Sequence, residues 1–174
     1  MIKLIQTYLF LICFISLNST NSFAQFINIQ LTIEAELSTE MEQALSFGTQ
    51  VTGSGLKVIA LGDPGMGIFS IKALRTQEIK ISLIYPDNLE SDKTDSKIPL
   101  DLNISYNNSG KDNPQNSIPI LGNSGYTSIY NNNLTFDSNE VWQELFVYVY
   151  GSIDIGQVPN ADYEADVILN VDYN

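Results

Sequence analysis

Alternation of apolar and polar residues recurs in three stretches of this chain. It restricts them to half-buried β-strands, because successive side chains of a strand point to opposite faces. In Phe26-Ile27-Asn28-Ile29-Gln30-Leu31-Thr32-Ile33-Glu34 the aliphatic Ile27, Ile29, Leu31 and Ile33 share one face. Lys97 to Tyr106 repeats the pattern through Ile98, Leu100, Leu102 and Ile104, and Tyr163 to Tyr173 repeats it through Val167, Leu169, Val171 and Tyr173. Weaker or mixed signals lie at Ala44 to Phe47, Leu56 to Leu61, Ile68 to Ala73, Glu78 to Tyr85 and Tyr126 to Tyr130. Trp142 to Ile153 is aromatic and β-branched on both faces, the composition of a central strand.

Turn-forming clusters separate these runs: Gly62-Asp63-Pro64-Gly65, Tyr85-Pro86-Asp87-Asn88 and Asn107-Asn108-Ser109-Gly110. Pro99 lacks an N–H and points to an edge position for its strand. Only Leu37 to Ala44 resembles a helix, and Pro86 to Lys97 reads as an acidic surface loop. About eight to nine strands with short turns predict an all-β fold of two packed antiparallel sheets. The strands are uneven in length and acids are spread through their polar faces, unlike the regular, outwardly apolar strands of a transmembrane barrel.

Residues 1–24 have the form of a secretory signal peptide: Lys3, the apolar run Leu9 to Leu17, then Ser22 and Ala24 as a small-x-small cleavage site. The apolar run is shorter than the roughly 20 residues needed to span a bilayer. Cleavage after Ala24 would start the mature chain at Gln25 and leave one domain, residues 25–174. Cys13 is the only cysteine, and bulky Ile12 before it disfavours a lipoprotein-processing site. Export therefore predicts a secreted, periplasmic or cell-surface protein with no thiol and no membrane insertion.

The chain carries 8 Lys and Arg against 20 Asp and Glu, a formal charge of -12, and losing Lys3 with the leader takes it to -13. Such a surface is a poor partner for nucleic acid or anionic membrane. Without histidine or a mature cysteine, the usual pairings of a Ser or Cys nucleophile with His cannot be built. No pair among the acids is singled out for glycoside hydrolysis, so no catalytic residue and no cofactor is assigned. Asp87 to Asp95 offers hard oxygen ligands of the kind calcium takes. Leu89 and Asp92 break the helix-loop-helix calcium pattern, and no metal ligand is assigned there or in the tract Asn131 to Asp137. Trp142, Tyr148, Tyr150, Tyr126 and Tyr130 are candidates for sugar stacking, Trp142, Phe146, Tyr148 and Tyr150 sharing strand parity with Glu144.

Leu45-Ser46-Phe47-Gly48, the following Gly53-Ser54-Gly55, and the closing stretch from Gly151 through Val158-Pro159-Asn160 to Tyr163 and on through Val167, Leu169 and Val171 to Tyr173 together resemble a family of secreted bacterial proteins known as domain of unknown function forty-four-oh-two. The resemblance covers the two ends of the domain and departs from the family at Asp162 and Glu164 to Asp166. It implies export and an immunoglobulin-like sandwich, and it carries no catalytic residue. The family looks related to spore-coat and fimbrial subunits, in which an alternating segment of one subunit completes the sheet of its neighbour. Ile27, Ile29, Leu31 and Ile33, with Val167, Leu169, Val171 and Tyr173, are thus the candidate assembly residues. The expected function is a non-enzymatic structural or interaction protein of the bacterial exterior, with itself or other surface subunits as partners. The competing expectation is a carbohydrate- or calcium-binding extracellular module.

Overall fold

The computed structural model describes residues 37–75, 77–128 and 142–174. The leader, the stripe Ile27 to Ile33, Tyr130 and the tract 131–137 lie outside the described residues. Among the described residues ten strands form: β1 (Ser38–Gln43), β2 (Gly55–Ile59), β3 (Gly67–Leu74), β4 (Glu78–Ile84), β5 (Asn88–Ser91), β6 (Thr94–Asn107), β7 (Ile118–Ile120), β8 (Ser124–Ser128), β9 (Trp142–Ile155) and β10 (Ile168–Tyr173). They build a seven-stranded and a three-stranded sheet, the latter in the order β10-β4-β8. Every pairing is antiparallel, and the fold is an all-β sandwich.

The composition of β9, apolar on both faces, follows from its place. One edge pairs first with β3 (Trp142 to Val149) and then with β2 (Gly151 to Ile155), while the other pairs with β6. Leu145, Val147, Val149, Ile153 and Ile155 enter the core between the sheets with Ile71 of β3, Leu102 and Ile104 of β6, and Ile79, Ile81 and Leu83 of β4. The opposite parity of β9 places Tyr148 in a second cluster with Ile59 and Met66 on the outer face, with Phe146 and Tyr150 packed against it. Gly151 sits where β9 changes neighbours. A Cβ there would meet the Asp101 carbonyl oxygen at 2.1 Å and Leu102 Cα at 2.9 Å, so only glycine lets β6 approach this closely.

On its other side, β6 pairs with β5 as far as Pro99 and with β7 from Ile104. Leu102 falls in the gap. Its N–H donates to Tyr85 Oη at 3.2 Å and its carbonyl accepts from the same hydroxyl at 3.1 Å, while Asn123 Nδ2 donates to that oxygen at 3.3 Å. One phenol thus replaces a missing strand, satisfying two backbone groups that would otherwise be orphaned.

Three expectations are corrected. The helix over Leu37 to Ala44 is strand β1, paired from Ser38 to Gln43 along β3. Its Glu, Met and Gln residues favour a helix only weakly, and the open edge of β3 supplies backbone partners that outweigh that preference. The surface loop over Pro86 to Lys97 contains β5 and the start of β6, joined at Asp92-Lys93 with Ser91 opposite Thr94. Leu89 anchors that hairpin by packing on the core. Pro99 belongs to an interior strand. The neighbouring Leu100 N–H bonds Asp87 O toward β5, so the Pro99 nitrogen faces the β9 side, where pairing begins only at Leu100; locally it is an edge. The run Tyr163 to Tyr173 also divides. Glu164 pairs reciprocally with Glu90, its N–H donating at 2.8 Å and its carbonyl accepting at 2.9 Å, before the chain crosses to the smaller sheet as β10.

Tyr85→Phe should lower unfolding free energy by about 1–3 kcal/mol, the cost of leaving buried backbone groups unsatisfied. Urea denaturation measures this; a change within error would show that the Leu102 bonds are dispensable.

Candidate functional site

The smaller sheet ends before it covers the whole inner face of the larger one. Past Ile84, the aliphatic floor formed by Ile98 and Leu100 of β6 with Ile153 and Ile155 of β9 is roofed by two irregular segments, 44–52 and 156–167. Between them lies a cleft of about 520 Å³. Leu45, Phe47 and Gly48 line one wall, and Val158, Tyr163, Ala165 and Val167 line the other. The two stretches that carry the family resemblance, more than 100 residues apart in sequence, therefore meet across one cleft.

Backbone ties hold each wall. Ser46 N–H donates to Gly65 O at 2.9 Å, and Gln43 Nε2 donates to Pro64 O at 2.7 Å and Met66 O at 2.6 Å. Gly48 and Gly53 turn the chain at φ 63° and 70°, the left-handed region that glycine enters at no cost. The walls are pinned together beside the cleft. Gly53 N–H donates to Gly156 O at 2.8 Å, and Thr52 Oγ1 donates to Val158 O at 2.7 Å while accepting from Val158 N–H at 3.1 Å. Tyr163 Oη donates to Pro159 O at 3.0 Å. The Lys93–Asp162 ion pair nearby, at 3.3 Å between side chains 70% and 98% exposed, contributes little in open solvent.

Ser46, Thr49, Gln50 and Asn160 give the rim neutral hydroxyl and amide groups, Asp162 and Glu164 give it negative charge, and no Lys or Arg lines it among the described residues. An aliphatic floor under such a rim suits van der Waals contact with an inserted apolar group, oriented by hydrogen bonds at the mouth.

Val167, Leu169, Val171 and Tyr173 all turn inward against the core of their own domain. Of the four, Val167 lines the cleft, and Tyr173 Oη accepts the Leu74 N–H at 3.0 Å. Sequence reasoning missed Leu89 and Thr52 as cleft residues. A lone leucine in an acidic stretch is the one local sign that Leu89 packs against the core.

The stacking candidates disperse. Trp142, Phe146, Tyr148 and Tyr150 do share a face with Glu144, whereas Tyr126 stands exposed on β8 of the other sheet. Tyr148 is fully buried, its hydroxyl donating to Asp112 Oδ1 at 2.9 Å and accepting the Asn113 N–H at 2.8 Å. It pins the loop over the outer cluster. Asp87 to Asp95 is the hairpin described above, where Glu90 pairs with Lys97, and no group of three or more acids, His or Cys able to hold a metal occurs among the described residues. No family model and no curated protein matches the chain.

Burial, reinforced by the Asp112 carboxylate, raises the Tyr148 pKa above its ordinary value of 10.0. Above about pH 10 the unfolded chain releases a proton that the native state keeps. The contribution is therefore complete below about pH 10 and lost as pH rises beyond it. Tyr148→Phe should flatten the fall of stability above pH 10 by about one proton, read from denaturation at stepped pH; an unchanged slope would contradict the assignment.

Proposed function

We propose that this chain is an exported, non-enzymatic structural or interaction protein of the bacterial exterior, a surface-assembly subunit that makes contact through the cleft. One observation carries this reading: two distant segments converge as opposed walls over an aliphatic floor. Tyr85, Tyr148, Tyr173 and Thr52 direct their hydroxyls to contacts that brace the fold. The leader, the thiol-free acidic mature chain and the resemblance to secreted sandwich proteins support the same reading. A subunit that reads a neighbour by apolar insertion needs no catalytic group, and its acidic surface keeps the unassembled protein soluble.

The neutral rim of Ser46, Thr49, Gln50 and Asn160 also favours a second reading, a carbohydrate-binding module. The two separate cleanly. For the assembly reading, the exported protein begins at Gln25 by mass spectrometry and forms concentration-dependent oligomers in light scattering at about 0.15 M salt, where repulsion between acidic copies is screened beyond about 8 Å. Thr49→Arg with Asn160→Arg, both at exposed positions, should leave the circular dichroism unchanged and the protein monomeric. A wild-type protein that stays monomeric at all concentrations, and whose melting temperature rises with a glycan only while the rim is intact, would favour the second reading.

A further inference from the structure

One wall of the cleft is a strand edge whose backbone groups are unpaired. Along residues 161–167 burial alternates, Tyr163, Ala165 and Val167 being half-buried and Asp162, Glu164 and Asp166 exposed, as in an extended strand. Glu164 exchanges both backbone hydrogen bonds with Glu90 of β5. Further on, Ile168 begins the pairing of β10 with β4, and Asn174 N–H donates to Glu78 O at 3.0 Å. The even residues of the stretch therefore turn their backbone groups toward β5 and β4. Successive residues of a strand direct N–H and C=O to opposite sides, so Tyr163 and Ala165 direct theirs the other way. Across β4 lies β8, which follows β7 at the margin of β6. The side that Tyr163 and Ala165 address is thus the margin of β1, whose continuation is the 44–52 wall across the cleft. Neither residue's N–H or C=O has a hydrogen-bond partner among the described residues.

We infer that this edge takes up an extended peptide as one more strand, with aliphatic side chains at alternate positions on the cleft floor and Lys or Arg at the positions between. The inference deepens the cleft reading and rests on it, naming the part of a neighbour that enters. Unpaired N–H and C=O groups at strand spacing match another peptide backbone group for group. Side chains opposite Tyr163 and Ala165 enter on the same face, over Leu100 and Ile153, where a polar group would lose its hydration without return. The intervening side chains come beside the outward Asp162, Glu164 and Asp166, and opposite charges on neighbouring strands attract. No Lys or Arg lines the cleft among the described residues to compete for those acids. Lys93 pairs with Asp162 from outside it, through an exposed contact that an incoming cation replaces at little cost. The same acids oppose a fatty acid or phospholipid, whose anionic head would lie beside them.

The test is fluorescence anisotropy of a labelled, end-capped hexapeptide alternating valine and lysine, titrated with the exported protein. It should bind saturably, and the same peptide with glutamate for lysine about tenfold or more weakly, because like charges then face each other. Backbone N-methylation separates use of the edge from attraction between charges. In an antiparallel strand the hydrogen-bonded residues lie opposite Tyr163 and Ala165, and in a parallel one they lie between. Methylating every valine nitrogen should therefore abolish binding in the first case, and methylating every lysine nitrogen in the second, while the other set still binds. Equal binding by the two methylated peptides, or undiminished binding by a peptide with its valines in one block and its lysines in another, would overturn the inference. Thr49→Arg with Asn160→Arg should lose the peptide, and binding that survives it would place the peptide elsewhere and overturn the inference too. A protein that oligomerises through the cleft yet ignores the alternating peptide overturns this inference and leaves the assembly reading standing; one that does neither overturns both.

Discussion

The structure depends on β9, fourteen residues long, flanked on both edges and packed on both faces over most of its length. Its odd residues fill the core between the sheets, and its even residues hold Tyr148 and its neighbours under the outer loops. β3, β2 and β6 all pair directly with it. A slip of β9 by one residue would exchange its two faces and disrupt both clusters. Gly151 sharpens the dependence. It is the point at which β6 comes too near for any side chain, so the register of β6 on β9 is set by sterics as well as by hydrogen bonds.

Much of this was legible because the signals are local. Alternation at Lys97 to Tyr106 and Tyr163 to Tyr173 placed inward residues correctly, and the two-faced composition of Trp142 to Ile153 identified the central strand. What failed were segments whose state is decided by distant partners. Ser38 to Gln43 is strand because β3 offers an edge, and Asn88 to Ser91 is strand because β6 and Glu164 lie on either side of it. Neither fact leaves a mark on the local sequence. The cleft was invisible for a related reason. Leu45, Phe47, Tyr163 and Val167 were noticed as parts of a resemblance, but their convergence requires the smaller sheet to stop at Ile84 and the chain to cross from Glu164 to β10.

The smaller sheet, too short for its partner, ties the cleft and the open edge together. Three strands cannot cover the inner face of seven. At the end beyond Ile84 irregular segments roof the excess and leave the cleft, and at the β1 side Met41 is left exposed. A β-sandwich can expose apolar inner surface only where something is meant to cover it, because unprotected edges and apolar faces invite aggregation. The cleft has walls held by hydrogen bonds and a polar rim.

The role of β9 is tested most directly by native-state hydrogen exchange. If β9 holds the rest together, the amides of Leu145 to Ile153 and the facing amides of Leu100 to Asn107 exchange only through global unfolding, with free energies equal to that from denaturation, while β4, β8 and β10 open at lower free energy. Exchange from β9 at a lower free energy than from β4 would contradict the account, because the three-stranded sheet would then outlast the strand on which both clusters are built.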